Sequence, residues 1–236
     1  MKVDLIISKA RADGRELLME DEAKEIISSL GIPVTHCLVA RDEKEALLQA
    51  EKIGYPVVLK VRSPKIVHKS DYKGVVLDIK NKKELRAAYR EITFRAAVLD
   101  GEAAVTVQAM AAKGLETLIG ATVNKQFGPV IAFGLGGVFT EIVNDVSFRL
   151  APVDPGEAGR MISQIKGCRL LQGYRGSPAV DTGALAEAIS RVSNLVFEYK
   201  EFAEIDLNPV AAYPDGVLVL DARMRLKIGE MPANTR

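Results

Sequence analysis

Short apolar segments alternate with amphipathic segments along almost the whole chain, and this alternation constrains the fold more than any single motif. Residues 56–61 (PVVLKV) and 75–79 (VVLDI) have the length and the β-branched composition of strands. Residues 19–30 carry apolar side chains at helical spacing, and Asp42 with Glu45 forms the capping-box pattern that opens a second helix. Strands that alternate with helices in this way predict an α/β fold.

Length and charge narrow the classes of protein that this chain can belong to. Its 236 residues, of which 48% are hydrophobic, suffice for one large domain or two closely coupled small ones. The formal net charge of +1 offers no general attraction to nucleic acid or anionic lipid. Apolar runs stay well short of the roughly 18–20 residues that span a bilayer. We therefore expect neither a nucleic-acid partner nor a membrane partner.

The two cysteines, Cys37 and Cys168, lie far apart in the sequence, and neither belongs to a CxxC pair. With only two histidines beside them, we do not expect a His/Cys zinc site. Reduced thiols in a cytoplasmic protein are the expected state.

The last predicted hairpin carries the densest group of oxygen-bearing side chains. Asp206 and Asn208 alternate with apolar residues, so both side chains leave the same face of the strand. A turn at 214–216 would return the chain and place Asp221 close to Asn208. Carboxylate and carboxamide oxygens suit Mg²⁺, which shares its coordination shell with waters and phosphates. A hairpin with merely solvated polar residues is the alternative interpretation of the same pattern.

A lysine and a basic loop form the second group. Lys60 lies late in an apolar strand, where a lysine either extends its amino group to solvent or points at an anion. The loop that follows includes Lys65, His68, Lys69, Ser70 and Lys73, as expected for a flap over polyphosphate or for a solvated basic loop. His68 could act as a nucleophile toward phosphorus in its neutral form, or could be merely structural.

Residues 134–137 (GLGG) form a turn that can present backbone N–H groups to an anion. The turn matches neither the Walker A nor the Rossmann pattern. Arg149 and Arg175 could each clamp a phosphate or carboxylate, or form surface salt bridges.

Taken in order, these segments resemble the nucleotide-binding β subunit of ADP-forming acetyl-CoA synthetases over about residues 19–230. The resemblance is carried by Lys60, HKSD (68–71), VQAM (107–110), GLE (114–116), FGPVIAFGLGGVFTE (127–141), DVSFRLAP (145–152), LLQGYRG (170–176), EIDLNPV (204–210) and LDAR (220–223). It implies an ATP-grasp fold of the α/β (α+β) class, with nucleotide between two lobes. The smaller lid lobe would span 34–106, and the larger lobe would comprise 1–33 and 107–236.

The resemblance also implies roles for individual residues. Lys60 would contact the nucleotide phosphates and, with His68, would belong to the catalytic group. The remaining nucleotide-binding positions would be Gln108, Ala109 and Met110 at the adenine edge, Glu116 at the ribose, and Gly136 and Gly137 at the transferring phosphoryl group. The metal ligands would be Asn208 and Asp221, with Asp206 as a less certain neighbour. A further phosphate clamp would draw on Lys69, Ser70 and Arg149.

The implied reaction is reversible and converts acyl-CoA, ADP and phosphate into free acid, CoA and ATP. ADP or ATP would be the substrate, Mg²⁺ the cofactor, and His68 a phosphohistidine relay. The acyl chemistry would lie on a CoA-binding α subunit in an α₂β₂ complex. One departure from the expected pattern is Lys73, which stands where we expect a small residue. A stand-alone ATP-grasp carboxylate ligase and a nucleotide-sensing regulatory module are the alternative functions.

Overall fold

The computed structural model describes residues 2–66, 69, 72–137 and 145–227. The helices are α1 (Lys2–Ala12), α2 (Glu20–Ser29), α3 (Glu43–Ile53), α4 (Lys82–Ala96), α5 (Pro155–Gln164), α6 (Cys168–Leu171) and α7 (Thr182–Glu198). The strands are β1 (Cys37–Ala40), β2 (Val57–Arg62), β3 (Val75–Ile79), β4 (Ala104–Ala109), β5 (Leu115–Asn124), β6 (Gly128–Leu135), β7 (Val146–Leu150), β8 (Phe202–Tyr213), β9 (Gly216–Val219) and β10 (Arg223–Leu226).

The smaller of two antiparallel sheets has the strand order β1-β4-β2-β3. Alternate residues of its central strands, such as Leu59 and Val107, pack against Ala46 and Ala50 of α3 and Leu85 of α4 in one buried cluster. The intervening side chains of β2 leave the opposite face of the sheet. Strand β4 carries this sheet to residue 109, three residues beyond the lid boundary expected at 106.

The larger sheet has the order β10-β8-β5-β6-β7, with β9 paired to β8. One face packs against α1, α2, α5 and α7, and its core includes Ile119, Phe133 and Leu207. Because side chains alternate along a strand, the intervening residues of β5 and β8 face away from this core. Each sheet therefore has one face covered by helices and one face that borders the space between the two sheets.

Helix starts follow the capping signals in the sequence. Asp42, Asn81, Asp154 and Asp181 each accept a hydrogen bond from the backbone N–H three residues later. The predicted helices and strands within the described residues are present to within a few residues, whereas helices α1 and α6 and strand β7 were not predicted. None of the described helices combines the length and the apolar content that a bilayer crossing requires.

Lys73, the departure from the expected flap pattern, adopts a left-handed backbone conformation with φ of 49°. This small region is permitted to side chains other than glycine, at a cost of roughly 1–2 kcal/mol per residue. The turn therefore keeps a shape typical of glycine although a lysine occupies it.

Replacing Lys73 with glycine should stabilise the protein. Relief of the left-handed strain outweighs the larger unfolded-state entropy of glycine, leaving a gain of about 0.5–1 kcal/mol in the free energy of unfolding. Thermal unfolding measures this as a rise of about 2 °C. Lys125→Gly is the matched control, an exposed turn lysine without positive φ, and it should lower the melting temperature. Equal shifts in the two variants would contradict the assignment of strain to Lys73.

Candidate active site

A cleft of about 950 Å³ lies between the open faces of the two sheets. Most of the predicted site residues within the described ranges line it, namely Lys60, Lys69, Gln108, Ala109, Met110, Glu116, Asp206, Asn208 and Asp221. Its volume is at the upper end of the range for small-molecule sites, about 300–1,000 Å³. The lysine from one lobe and the Asn/Asp pair from the other therefore share one cavity.

Lys60 projects from the cleft face of β2 and contacts the larger lobe directly. Its Nζ atom donates to Asp221 Oδ1 and Glu20 Oε1, each at 2.7 Å, and to the carbonyl oxygen of Leu220 at 2.9 Å. The side chain is only 10% exposed. Two of the three acceptors, Asp221 and Glu20, are carboxylates. An anion bound in the cleft could therefore replace one of these carboxylates as the partner of the Lys60 amino group.

Glu20 and Lys24, on the first turns of α2, form the buried base of the site. Lys24 Nζ lies 2.7 Å from Glu20 Oε1 and from Gln108 Oε1, and 2.8 Å from the carbonyl oxygen of Leu220. It also donates to Thr35 Oγ1 at 2.7 Å. Sequence reasoning missed both residues because it assigned them only to a helix. Their signal was a charged pair at i, i+4 on the same helix as a buried apolar face.

Burial and charge act in opposite directions on this cluster. Burial raises the pKa of Glu20, but Lys60, Lys24 and Lys69 outweigh it and hold that pKa well below its ordinary value. Burial lowers the pKa of Lys60, but Asp221 and Glu20 outweigh this effect and raise it. For Lys24 burial prevails over the attraction of Glu20, and the pKa is lowered.

Lys69 belongs to the predicted basic flap and reaches the same carboxylates. Its Nζ atom donates to Asp221 Oδ1 at 3.1 Å and makes a short hydrogen bond with Glu20 Oε2. Two predicted site residues beside it, His68 and Ser70, lie outside the described residues.

The final hairpin has the predicted geometry. Val210 pairs with Val219, and the chain then continues to Asp221, while Asn208 is exposed toward the cleft. Burial raises the pKa of Asp206, an effect that Arg223 at 3.4 Å partly offsets. Among the described residues, no group of three or more His, Cys, Asp or Glu side chains is arranged to hold a metal. Carboxamide and carboxylate oxygens nevertheless suit an ion that takes its remaining ligands from phosphate and water.

The glycine turn lies against Glu116. Gly136 N–H donates to the Glu116 carbonyl oxygen at 2.7 Å, so this N–H is not available to an anion, contrary to the expectation for the turn. Gly137 has a φ of +65°, and a Cβ atom there would lie 2.8 Å from Glu116 Oε2. The turn therefore packs against Glu116. Neither Gly136 nor Gly137 is among the residues that line the cleft, so their contact with a phosphoryl group stays a prediction.

The end of β4 provides the remaining cleft wall. The Gln108 side chain is buried and donates to Glu20 Oε1 at 2.9 Å, so it belongs to the charged cluster. Ala109 and Met110 are exposed along the cleft, with Met110 38% exposed. Leu77 of β3 is a further apolar residue of the cleft lining.

Neither arginine suggested by the sequence lies in the cleft. Arg149 contacts Glu157 and donates to Gln164 Oε1 at 2.7 Å, both on α5. It therefore projects from the helix-covered face of β7 and has no place in a phosphate clamp. Arg175 stacks over the Tyr174 ring, 5.3 Å from its centroid.

Comparison with known proteins agrees with this geometry. The family model for the ATP-grasp domain matches residues 9–226. The β subunit of acetate–CoA ligase (ADP-forming) I from Pyrococcus furiosus is 46% identical over 224 residues, covering 94% of this chain and 96% of that protein. This chain belongs to the ATP-grasp family of ADP-forming acetate–CoA ligase β subunits. The family and the ATP-grasp fold expected from the order of the motifs are confirmed.

Two further relatives of this β-subunit family are informative. The 4-hydroxybutyrate–CoA ligase (ADP-forming) of Nitrosopumilus maritimus is 40% identical over 230 residues, which are 95% of this chain but 33% of that protein. The structure of acetyl-coenzyme A synthetase 1 from Ca. Korarchaeum cryptofilum, with coenzyme A and Mg-AMPPCP, gives a TM-score of 0.84 at 44% identity, covering 96% of this chain and 100% of that chain. In that structure a phosphohistidine segment points towards the nucleotide binding site.

Gly136→Ala should destabilise the ATP-grasp domain. A Cβ atom at 136 would lie 3.1 Å from Glu116 backbone and Cβ atoms and from Thr117 N, on a central strand that cannot easily move. We expect a loss of about 1–3 kcal/mol in the free energy of unfolding, measured with urea. Gly120→Ala is the control, because the nearest atom would be 3.6 Å away, and it should be nearly neutral. A neutral Gly136→Ala variant would contradict the close approach of the turn to Glu116.

Proposed function

We propose that this chain is the nucleotide-binding β subunit of an ADP-forming acyl-CoA synthetase. It transfers a phosphoryl group between ADP or ATP and a phosphohistidine relay, within the conversion of acyl-CoA, ADP and phosphate into acid, CoA and ATP. One observation carries the proposal: Lys60 of the lid and Asp221 of the larger lobe meet at 2.7 Å in a cleft that Asn208 also lines. A metal-bound polyphosphate needs a cation beside the phosphates and oxygen ligands for the metal, and these residues would supply both.

The phosphate end of the cleft acts through charge. Lys60 and Lys69 would bind the phosphate oxygens and neutralise their charge, which is what phosphoryl transfer requires of a protein. Both amino groups contact Asp221 Oδ1, and the Asp221 side chain is 32% exposed. Phosphate oxygens could therefore replace this carboxylate as their partner without uncovering the buried base of the site.

Asn208 and Asp221, with Asp206 beside them, would hold Mg²⁺ in the larger lobe. The ion would supply positive charge to the phosphates. Burial of the cleft strengthens these interactions relative to water. Ala109 and Met110 would flank the adenine, and Glu116, held by the glycine turn, would accept from the ribose hydroxyls.

His68 would be the relay group of this subunit. The next residue in the sequence, Lys69, contacts Asp221 in the cleft. In the transfer to ADP, the bond between phosphorus and the imidazole nitrogen breaks and that nitrogen keeps the electron pair. A terminal oxygen of ADP forms the new bond to phosphorus, giving ATP. Exclusion of water by the lobes protects the phosphohistidine from hydrolysis.

The partner would be a CoA-binding α subunit, with α₂β₂ stoichiometry. The Pyrococcus relative is named a β subunit, and the longer Nitrosopumilus relative contains a matching region within one chain. Cys37 and Cys168 are both free thiols, which supports a cytoplasmic location.

Reconstitution tests the function directly. The chain is purified with and without a CoA-binding α subunit, and ATP is measured after addition of acetyl-CoA, phosphate and ADP. ATP should form only when both chains are present. Turnover of ATP by the isolated chain with a small acid and an amine would favour a stand-alone ligase. Tight nucleotide binding without transfer in the complex would favour a sensing module.

Asp221→Asn should weaken the contribution of Mg²⁺ to ADP binding. The variant loses the charged ligand, and we expect a decrease of at least about tenfold in the ratio of ADP affinities with and without Mg²⁺. Titration calorimetry in the presence of Mg²⁺ or EDTA measures this ratio. Asp215→Asn, in the β8–β9 turn, is the control and should leave it unchanged. An unchanged ratio in Asp221→Asn would remove this residue from the metal site.

His68→Ala should abolish acid-labile phosphorylation of this chain while ADP binding survives. The reconstituted complex is incubated with radiolabelled phosphate and acetyl-CoA, and the label on each chain is measured after acid or alkaline treatment. His36→Ala is the control, because His36 is the second histidine of the chain and is not part of the proposed relay. Undiminished label in His68→Ala would exclude the relay.

A further inference from the structure

We infer that Glu20 is a positioning residue for nucleotide binding, because its buried carboxylate holds the amino groups of Lys60 and Lys69 where the phosphates would lie. The inference rests on the proposed function of the cleft. It assigns a fixed partner to the two lysines and leaves Asp221 as the partner that can be replaced.

Both carboxylate oxygens of Glu20 have hydrogen-bond partners on other side chains of the protein. Oε1 lies 2.7 Å from the Nζ atoms of Lys60 and Lys24 and accepts from Gln108 Nε2 at 2.9 Å. Oε2 accepts from Lys69. The Glu20 side chain is 3% exposed, whereas that of Asp221 is 32% exposed. Glu20 is therefore almost fully buried at the wall of the cleft, while Asp221 is the more accessible of the two carboxylates.

Glu20 is also held in place from several directions. Lys24, which pairs with it, is itself fixed by Thr35 and by the carbonyl oxygen of Leu220. The adjacent Asp21 makes two hydrogen bonds with Arg62 of the lid, at 2.8 and 3.0 Å. Because α2 is anchored on both sides of the cleft, the carboxylate is a rigid point for lysine side chains that are otherwise flexible.

The charges of the cluster explain why the lysines need a fixed carboxylate. Three lysines, Lys24, Lys60 and Lys69, share two carboxylates, Glu20 and Asp221. If Asp221 held a metal, Glu20 would remain the carboxylate in contact with all three lysines. The Glu20 carboxylate offsets the repulsion between the three amino groups and so keeps them together. The positive charge that it leaves unbalanced would face the phosphates.

A double-mutant cycle tests the inference with the full-length chain. ADP binding with Mg²⁺ is measured by calorimetry for the wild type, for Glu20→Gln, for Lys60→Met/Lys69→Met and for the triple variant. Glu20→Gln should weaken ADP binding about tenfold in the wild-type background. In the background without the two lysines it should change binding less than twofold, because Glu20 acts through them. An equal effect in both backgrounds would overturn the inference.

Glu22→Gln separates this role from a loss of stability. Glu22 is a buried carboxylate on the same helix turn, but it pairs with Arg15 at 2.8 Å and caps Met19 N–H. It should lower the melting temperature and leave the ADP affinity unchanged. Should Glu20→Gln not fold, Glu20→Asp replaces it in the cycle, since it keeps the charge but withdraws it from the lysines.

The outcomes distinguish this inference from the proposed function. A wild-type chain that does not bind ADP contradicts the function of the cleft and the inference with it. A wild type that binds ADP, together with a folded Glu20→Gln variant of equal affinity, contradicts the role of Glu20 alone.

Discussion

The contact of Lys60 with Glu20 and Asp221 is the interaction on which the rest of the site depends. It joins the smaller sheet to the larger lobe across the cleft, through an amino group that is 10% exposed. A buried charge without a partner costs several kcal/mol, and the two carboxylates offset this cost where Lys60 meets the larger lobe. The same requirement explains why the base of the cleft contains α2, whose first turn carries Glu20 and Asp21. Each of these residues pairs with a basic side chain from one face of β2.

The ion pairs also set how a nucleotide could enter. The lysines already have anionic partners, so phosphates gain little by simple attraction to them and must replace a carboxylate. Asp221 is the accessible partner, and under the proposed function a metal held by Asp221 would leave Lys60 and Lys69 to the phosphates. Metal and nucleotide should consequently bind with positive coupling. Glu20, beneath the lysines, remains outside this replacement.

How far the sequence predicts the site depends on the range of the contacts. That Asp206 and Asn208 share one face of a strand could be predicted because strand alternation and a short turn are local rules, and the pairing of β8 with β9 follows them. Glu20 meets Lys60 across 40 positions, and no local pattern encodes that contact. Arg149 was grouped with the clamp by its neighbours in the motif, but its position in β7 turns it to the helix-covered face. A shift of one residue along the strand would turn the side chain from the helix-covered face to the opposite face. The sequence alone does not show which of the two faces Arg149 occupies.

The nearly neutral net charge of the chain does not indicate an anion-binding site, although the structure contains a local group of lysines. A formal net charge of +1 averages over 236 residues, whereas the cleft and its buried base together bring three lysines around two carboxylates. Exposed charges are screened by salt over about 8–10 Å, but buried ones are screened much less. A few buried cations can therefore bind polyphosphate on a nearly neutral protein. Their positions, which the fold sets through α2 and β2, matter more than their number.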